Sequence, residues 1–337
     1  VFVGPDVPTE SPVLAPFLQR RTNLPTARPI VRILWEQLAL PLALARMRLD
    51  LLHSPAYVVP LVGKVPAVVT FHDLSFFVMP SAFNRQNRLY LQAMARQSAR
   101  HAARFIAVSQ ATRRDLVRIL GVREDQVDVV YNGVDDTFQP IADEARLDGF
   151  RAQYDLPRRF ILYLGTLEPR KNVAALVRAY AVARQRGVTE PLILAGGRGW
   201  GDLALGQLIA ELDLQDVVRM VGFVEMSDQA LWYNAATLFV YPSLYEGFGF
   251  PVLEAMACGT PVLASDRSSL PEVVGDAGLV VDPMNPDSLA ESMVTLLGDD
   301  DLRVRFRALG LERARTFRWD AAARQTVESY HRALSAS

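Results

Sequence analysis

The chain has 337 residues, half of them hydrophobic and 22% charged, with a formal net charge of −1. That balance suits a soluble globular protein with a large core and room for two domains, and the near-zero net charge argues against a strongly basic nucleic-acid binder. The single cysteine, Cys258, excludes an internal disulfide and a cysteine metal cluster.

Val1-Phe-Val3 reads as a strand already under way. The longest apolar candidate for a membrane span, 38–52, is broken by Pro41, Arg46, Arg48 and Asp50. The run 65–71 is short, apolar and strand-like, and ends in His72-Asp73. A helix is expected over 84–104, a strand over 104–109, a helix over 110–120 and a strand over 126–131, closed by the turn Asn132-Gly133. Up to residue 130 there are sixteen Lys and Arg against nine Asp and Glu, or +7, which leaves −8 for the remainder. Seven arginines (85, 88, 96, 100, 104, 113 and 114) fall between Leu74 and Arg114 with no acid among them. Arg96, Arg100 and Arg104 recur every four residues and are expected to form a stripe on one helix.

Periodicity fades near residue 140 and then starts afresh. Strands are expected at 160–164, 191–195, 217–221, 237–241, 261–265 and 278–282, with helices between them. Asn172 is expected to cap the helix that reaches about residue 185. An amphipathic helix is expected over 317–334. This order predicts an α/β protein with mostly parallel sheets covered on both faces. Ligands in such sheets bind at the carboxyl ends of strands, where His72, Gly165, Gly196 and Glu246 all fall.

The densest functional signal is Tyr245-Glu246-Gly247-Phe248-Gly249-Phe250-Pro251-Val252-Leu253-Glu254. It follows a strand and opens a helix, with Pro251 suited to the first turn and Gly259 to the residue past the end. Glycines let backbone N–H groups approach a ligand, and a helix N-terminus favours an anion such as phosphate. Glu246 at the strand tip and Glu254 one turn into the helix suit a ligand with phosphates and hydroxyls. The plainer alternative is a solvated loop glutamate and one that complements the helix dipole. A second block, Gly165-Thr166-Leu167-Glu168-Pro169-Arg170-Lys171-Asn172, puts two cations just before a helix N-terminus. Charge of that sign is unfavourable there and suggests a shared anion, the alternative being an exposed basic turn. The loop Gly196-Gly-Arg-Gly-Trp-Gly201 lacks dinucleotide-fingerprint spacing and is expected to cover a ligand. The triplet 299–301 reads as a solvated acidic turn.

These blocks, in this order, resemble the second domain of retaining nucleotide-sugar glycosyltransferases of family 4, or group 1, which have the two-domain GT-B fold. Glu246 and Glu254 match that family's E-x7-E signature. The match continues through Ala255-Met-Ala-Cys-Gly-Thr-Pro-Val-Leu-Ala-Ser-Asp266, Leu270-Pro-Glu-Val-Val274 and Gly278-Leu-Val-Val-Asp282. Many members carry Arg where Thr166 stands, and Arg170 beside Lys171 is expected to take over its charge. The form of the block around Arg170 resembles the branch with many mannosyltransferases. The resemblance implies two Rossmann-like domains with parallel sheets facing across a cleft, 1–140 on the acceptor side and 141–318 binding the nucleotide sugar. A crossover helix, 319–337, then returns to the first domain.

It also implies roles. Arg170 and Lys171 meet the donor pyrophosphate, helped by N–H groups of Phe250 and Val252, and Glu254 accepts from ribose hydroxyls. Glu246 and His72 face the donor sugar, and Val224 lies near the base. Gly165, Thr166, Gly247, Phe248 and Gly249 complete the donor set. No metal and no cofactor are expected. The partners are a nucleotide sugar (GDP-mannose favoured, UDP-glucose second) and a glycan or lipid-linked acceptor in cell-surface polysaccharide or glycolipid synthesis. A cytoplasmic enzyme is expected, peripheral at the anionic inner face of a membrane, with no nucleic-acid partner. Rival readings are a non-catalytic nucleotide-sugar binder, a GT-B epimerase or phosphorylase, and a glycoside hydrolase, which needs no pyrophosphate cradle. Nothing before Val65 supplies the family's opening strand and glycine-rich loop. The chain is therefore expected to lack roughly 40–60 upstream residues and to transfer sugar poorly without them.

Overall fold

Unbroken apolar runs fit strands covered on both faces of a parallel sheet. The computed structural model, which describes residues 1–337 apart from 5–6, 8–13, 27, 48, 61, 63–64, 198–201 and 336–337, contains two such sheets and a small strand pair. The pair joins β1 (Phe2–Val3) to β2 (Arg20–Arg21). Then come α1 (Pro29–Leu34), a π-helical turn (Trp35–Ala39) and α2 (Leu40–Ala45).

The first main sheet orders β3 (Leu52–Ser54), β4 (Ala67–Phe71), β5 (Arg104–Ala107) and β6 (Val127–Val129), all parallel. All five residues of β4 are buried. Its helices are α3 (Ser75–Val78), α4 (Arg85–His101) and α5 (Gln110–Leu120). Asn84 caps α4, its side chain accepting from Gln86 N–H at 2.9 Å. The expected arginine stripe keeps Arg96 and Arg100 on one helix but loses Arg104. α4 ends at His101, and Arg104 lies on β5, paired with Asp128 of β6 at 2.8 Å. Arg113 and Arg114 also find acids from elsewhere in the chain, Glu124 at 3.4 Å and Glu272 at 3.5 Å. The outward face of α4 keeps Arg85, Arg96 and Arg100 exposed.

The second sheet follows α6 (Glu144–Gln153). Its elements are β7 (Ile161–Leu164), α7 (Val173–Gln185), β8 (Leu192–Ala195), α8 (Asp202–Glu211), β9 (Val218–Gly222), α9 (Gln229–Ala235), β10 (Leu238–Tyr241), α10 (Phe250–Ala257), β11 (Val262–Ser265), α11 (Leu270–Val274) and β12 (Leu279–Val281). The parallel strands lie in the order β12-β11-β10-β7-β8-β9. Every residue of β7, β8, β10 and β11 is buried. Strand order reverses between β7 and β10, and that switch point is where ligands of such sheets bind.

α12 (Pro286–Gly298), α13 (Asp300–Ala314) and α14 (Trp319–Ser335) complete the chain. The acidic triplet is exposed, as expected of a solvated segment, but it opens a helix and does not form a free turn. The Asp299 side chain caps α13, accepting from Leu302 N–H at 2.8 Å, and Asp300 and Asp301 fill the helix's first turn, where negative charge complements the dipole. α14 crosses back to the first sheet, burying Ala322 and Ala333 with Val68, Ile106 and Val130. Tyr330 on α14 bonds His53 of β3 at 2.7 Å. Among the described residues no helix is long and apolar enough to cross a membrane.

Candidate active site at the domain interface

Two loops flank the switch point, 165–172 after β7 and 242–249 after β10. The first ends in a 3-10 turn, Pro169–Lys171, which aims both cations back toward the second loop. Arg170 Nη1 donates to the Tyr245 carbonyl at 2.7 Å and to Glu246 Oε2 at 3.0 Å, and Nη2 donates to Glu168 at 2.7 Å. Lys171 Nζ donates to Glu246 Oε1 and to the Tyr241 hydroxyl, both at 2.6 Å. Tyr241 at 3.0 Å and Ser243 at 2.7 Å also donate to Oε1.

Two cations thus face two carboxylates. The like-signed pair before α7 is neutralised by the chain itself, so its placement does not by itself demand an external anion. Unused donors remain, because an ammonium has three N–H groups and a guanidinium five. Burial pushes the Glu246 carboxyl up, but Lys171 and then Arg170 outweigh it and hold the group below the ordinary glutamate value. Burial would lower the Arg170 value, and Glu246 and Glu168 raise it instead. Glu246 and Arg170 are therefore held in their ionised forms, and Lys171 Nζ is bonded to the same carboxylate.

The glycines act by close approach. A Cβ on Gly247 would stand 1.6 Å from the His72 carbonyl oxygen, so only glycine lets the second loop touch the end of β4. His72 itself is exposed, and its Nε2 meets the Pro55 carbonyl at 2.8 Å. A carbonyl only accepts, so Nε2 carries the proton. A Cβ on Gly196 would stand 2.1 Å from the Gly165 carbonyl oxygen, which packs the β7 and β8 strand ends together. Thr166 is exposed beside them. The covering loop expected at 196–201 lies outside the described residues from 198 onward.

α10 starts as expected. Gly249 takes φ +113° at its N-cap and Pro251 sits in the first turn. It ends with Gly259 at φ +78°, and Thr260 N–H donates to Ala255 O at 2.9 Å, a left-handed C-terminal closure. Two expectations need correction. Val252 N–H is not open to a phosphate: the residue is buried and its N–H donates to the carbonyl of the N-cap residue Gly249 at 3.1 Å. Asn172 occupies the N-cap of α7 without capping it. It lies at φ +58°, and its side-chain amide donates to the Pro283 carbonyl at 2.9 Å.

Phe248 is buried in an aromatic cluster with Tyr131, Phe250 and Phe317. Phe250 is partly exposed and stacks on Trp319 of α14. Val224 is buried after β9, while the neighbouring Phe223 is 73% exposed. Glu254 does not join the ion cluster. Its Oε2 accepts from Tyr233 at 2.9 Å, and burial pushes its pKa up to about 7, with Asp135 adding to the rise. Sequence reasoning missed Tyr241, Ser243 and Glu168 as partners of the cluster. A tyrosine at a strand end and a serine three residues before a glutamate were the available signals.

A model of the glycosyl transferases group 1 matches residues 149–313, and one of glycosyltransferase family 4 matches residues 2–138. The chain is 37% identical over 265 residues to O-antigen chain mannosyltransferase B of Escherichia coli, covering 78% of this chain and 70% of that one. It is 30% identical over 299 residues to a serotype-specific mannosyltransferase of Escherichia coli, covering 85% of this chain but only 36% of that longer protein. Sucrose-phosphate synthase from Thermosynechococcus elongatus superposes with a TM-score of 0.75 at 26% identity, over 95% of this chain and 84% of that one. With two parallel α/β domains, a returning last helix and these matches over both halves, the chain belongs to the group 1, family 4 glycosyltransferases and has their GT-B fold.

Proposed function

We propose that this glycosyltransferase moves a hexose of mannose or glucose type from a nucleoside-diphosphate sugar to a glycan or lipid-linked acceptor, with retention of anomeric configuration and without a metal ion. GDP-mannose is the favoured donor and UDP-glucose the second. The product belongs to cell-surface polysaccharide or glycolipid. The observation that carries this reading is the convergence of Arg170, Lys171 and Glu246 at the strand-order reversal, with Gly247 seated against His72 of the other sheet. Similarity to a mannosyltransferase of O-antigen chains supports the sugar and the product class. The two matched stretches support a division near residue 140, and the packing of α14 on the first sheet supports 319–337 as a crossover helix.

Arg170 and Lys171 would meet the charge that develops on the departing pyrophosphate, a preorganised electrostatic role. Gly165, Thr166, Gly249 and the Phe250 N–H would approach the phosphates. Glu254, when ionised, would accept from ribose hydroxyls, and Val224 would flank the base. Glu246 and His72 would orient the donor sugar, with the Gly247-Phe248 backbone closing the cleft. The exposed arginines of α4 support a peripheral position at an anionic cytoplasmic membrane face.

A thermal-shift panel of GDP-, UDP- and ADP-sugars tests the donor, and GDP-mannose should give the largest rise. A larger rise with any UDP-sugar would overturn that choice. NMR of the product's anomeric proton should show retention, and turnover should survive EDTA. Inversion, or a strict Mg²⁺ or Mn²⁺ requirement, would each remove the corresponding part.

A further inference from the structure

Glu272 lies on α11 in the second sheet's half, outside the ion cluster, yet its carboxylate reaches into the first. It accepts from the backbone N–H groups of Gln110 and Ala111, each at 2.7 Å, at the N-terminus of α5. The Tyr131 hydroxyl donates to it at 3.3 Å, and Arg114 stands at 3.5 Å. A helix leaves its first N–H groups without intrahelical partners. In α5 the Ser109 side chain takes the Thr112 N–H at 3.0 Å, and Glu272 takes the two before it. A charged acceptor at this end also gains from the helix dipole.

The same two helices grip the loop that carries Glu246. From α5, Thr112 donates to the Gly247 carbonyl at 3.2 Å, and Asp115 accepts from the Tyr245 hydroxyl at 2.8 Å. Tyr245 in turn accepts from the Leu74 N–H at 3.1 Å. At the start of α11, Ser269 donates to the carbonyls of Glu246 at 2.9 Å and Phe248 at 2.7 Å. Arg313 pins α11 from behind, donating to the carbonyls of Glu272 at 2.5 Å and Val273 at 3.1 Å. A closed ring results, running from α11 through Glu272 to α5, through Thr112 and Asp115 to the Glu246 loop, and through Ser269 back to α11.

We propose that Glu272 is a positioning residue, a latch between the two domains whose capping of α5 holds the Glu246 loop against His72 in the closed cleft. When the domains part, α5 loses two N–H acceptors and Glu272 two donors, so the latch adds to the closed state alone. It acts through geometry and touches no donor group.

The test compares Glu272→Ala and Glu272→Gln with Arg114→Ala, which removes only the partner that is 68% exposed. Small-angle scattering of the full chain should show the radius of gyration of Glu272→Ala rising by about 1 Å above the ~20 Å of a compact chain of this length. Hydrogen exchange at the Leu74 amide, remote from Glu272 itself, should quicken at least about tenfold, while Arg114→Ala stays as wild type. Glu272→Gln keeps the volume and one acceptor, and should fall between the two. These two readings need no donor and stand whatever sugar is transferred. A third arm rests on the function proposed above: nucleotide Kd should stay within about twofold while kcat drops about tenfold or more. Faster exchange confined to Gln110 and Ala111, with the radius unchanged, would reduce Glu272 to a local helix cap and overturn the latch.

Discussion

Glu246 is an ionised group with almost no water around it, and its value lies in its partners. Glu246→Gln leaves Lys171 and Arg170 facing a neutral amide. Breaking a buried ion pair from one side costs about 3–5 kcal/mol, so urea unfolding should show a loss of that order. Turnover should fall further than nucleotide affinity, and equal losses would mean that Glu246 serves the phosphates instead of the sugar. Glu254 behaves in the opposite sense. Its folded value of about 7 lies above the ordinary 4.5, so its protonated form is the one the fold favours. Below pH 4.5 it is protonated in both states and costs nothing. Between pH 4.5 and about 7 only the unfolded chain ionises, and stability falls by at most about 3 kcal/mol. Glu254→Gln should flatten that slope in melting experiments from pH 4.5 to 8. An unchanged slope would place the titration elsewhere. If Glu254 must be ionised to hold ribose, nucleotide affinity should rise from pH 6 to 8 in the wild type and stay level in Glu254→Gln.

The loop between β10 and α10 shows how a short element joins local signals to long-range contact. Its helix was legible from Pro251 and Gly259, because both act through local backbone geometry. The contact of Gly247 with His72 was not legible, since it depends on a carbonyl 175 positions away in the chain. Gly247→Ala must push the loop off the first sheet. The expected result is at least a tenfold loss of kcat with nucleotide Kd within about twofold and an unchanged far-UV spectrum. Full activity in that variant would show that the cleft works without this contact. The acidic triplet carries a similar lesson. Asp299-Asp-Asp301 looks like a turn in one dimension, and becomes a cap once α13 is seen to start there.

Across the whole molecule, charge is arranged by domain. Arg104, Arg113 and Arg114 are tied to acids, so the basic excess that can meet another surface is smaller than composition suggests. Arg85, Arg96 and Arg100 remain outward on α4. At about 1 kcal/mol each near an anionic surface, they would give only weak, salt-sensitive adsorption. Sedimentation with phosphatidylglycerol vesicles should show binding at low salt that is lost at high salt and in the triple Arg→Gln variant. Binding that survives high salt would shift attention to the exposed Leu34, Leu38 and Leu42 of the α1–α2 segment.

Sequence by itself determined the α/β class, the two-part layout, the strand-end position of both motifs and the family. Each of these follows from local rules: apolar runs, turn residues, caps and motif spacing. Tertiary structure decided how the charges are used. Arg170 and Lys171 read as an open cationic pair until Glu246 and Glu168 are folded against them. Glu246 and Glu254 read as a matched pair until one is placed among cations and the other beside Tyr233. The reason is physical: a side chain's charge state and partners depend on burial and on groups brought in from distant positions, and neither is encoded in the spacing of its neighbours.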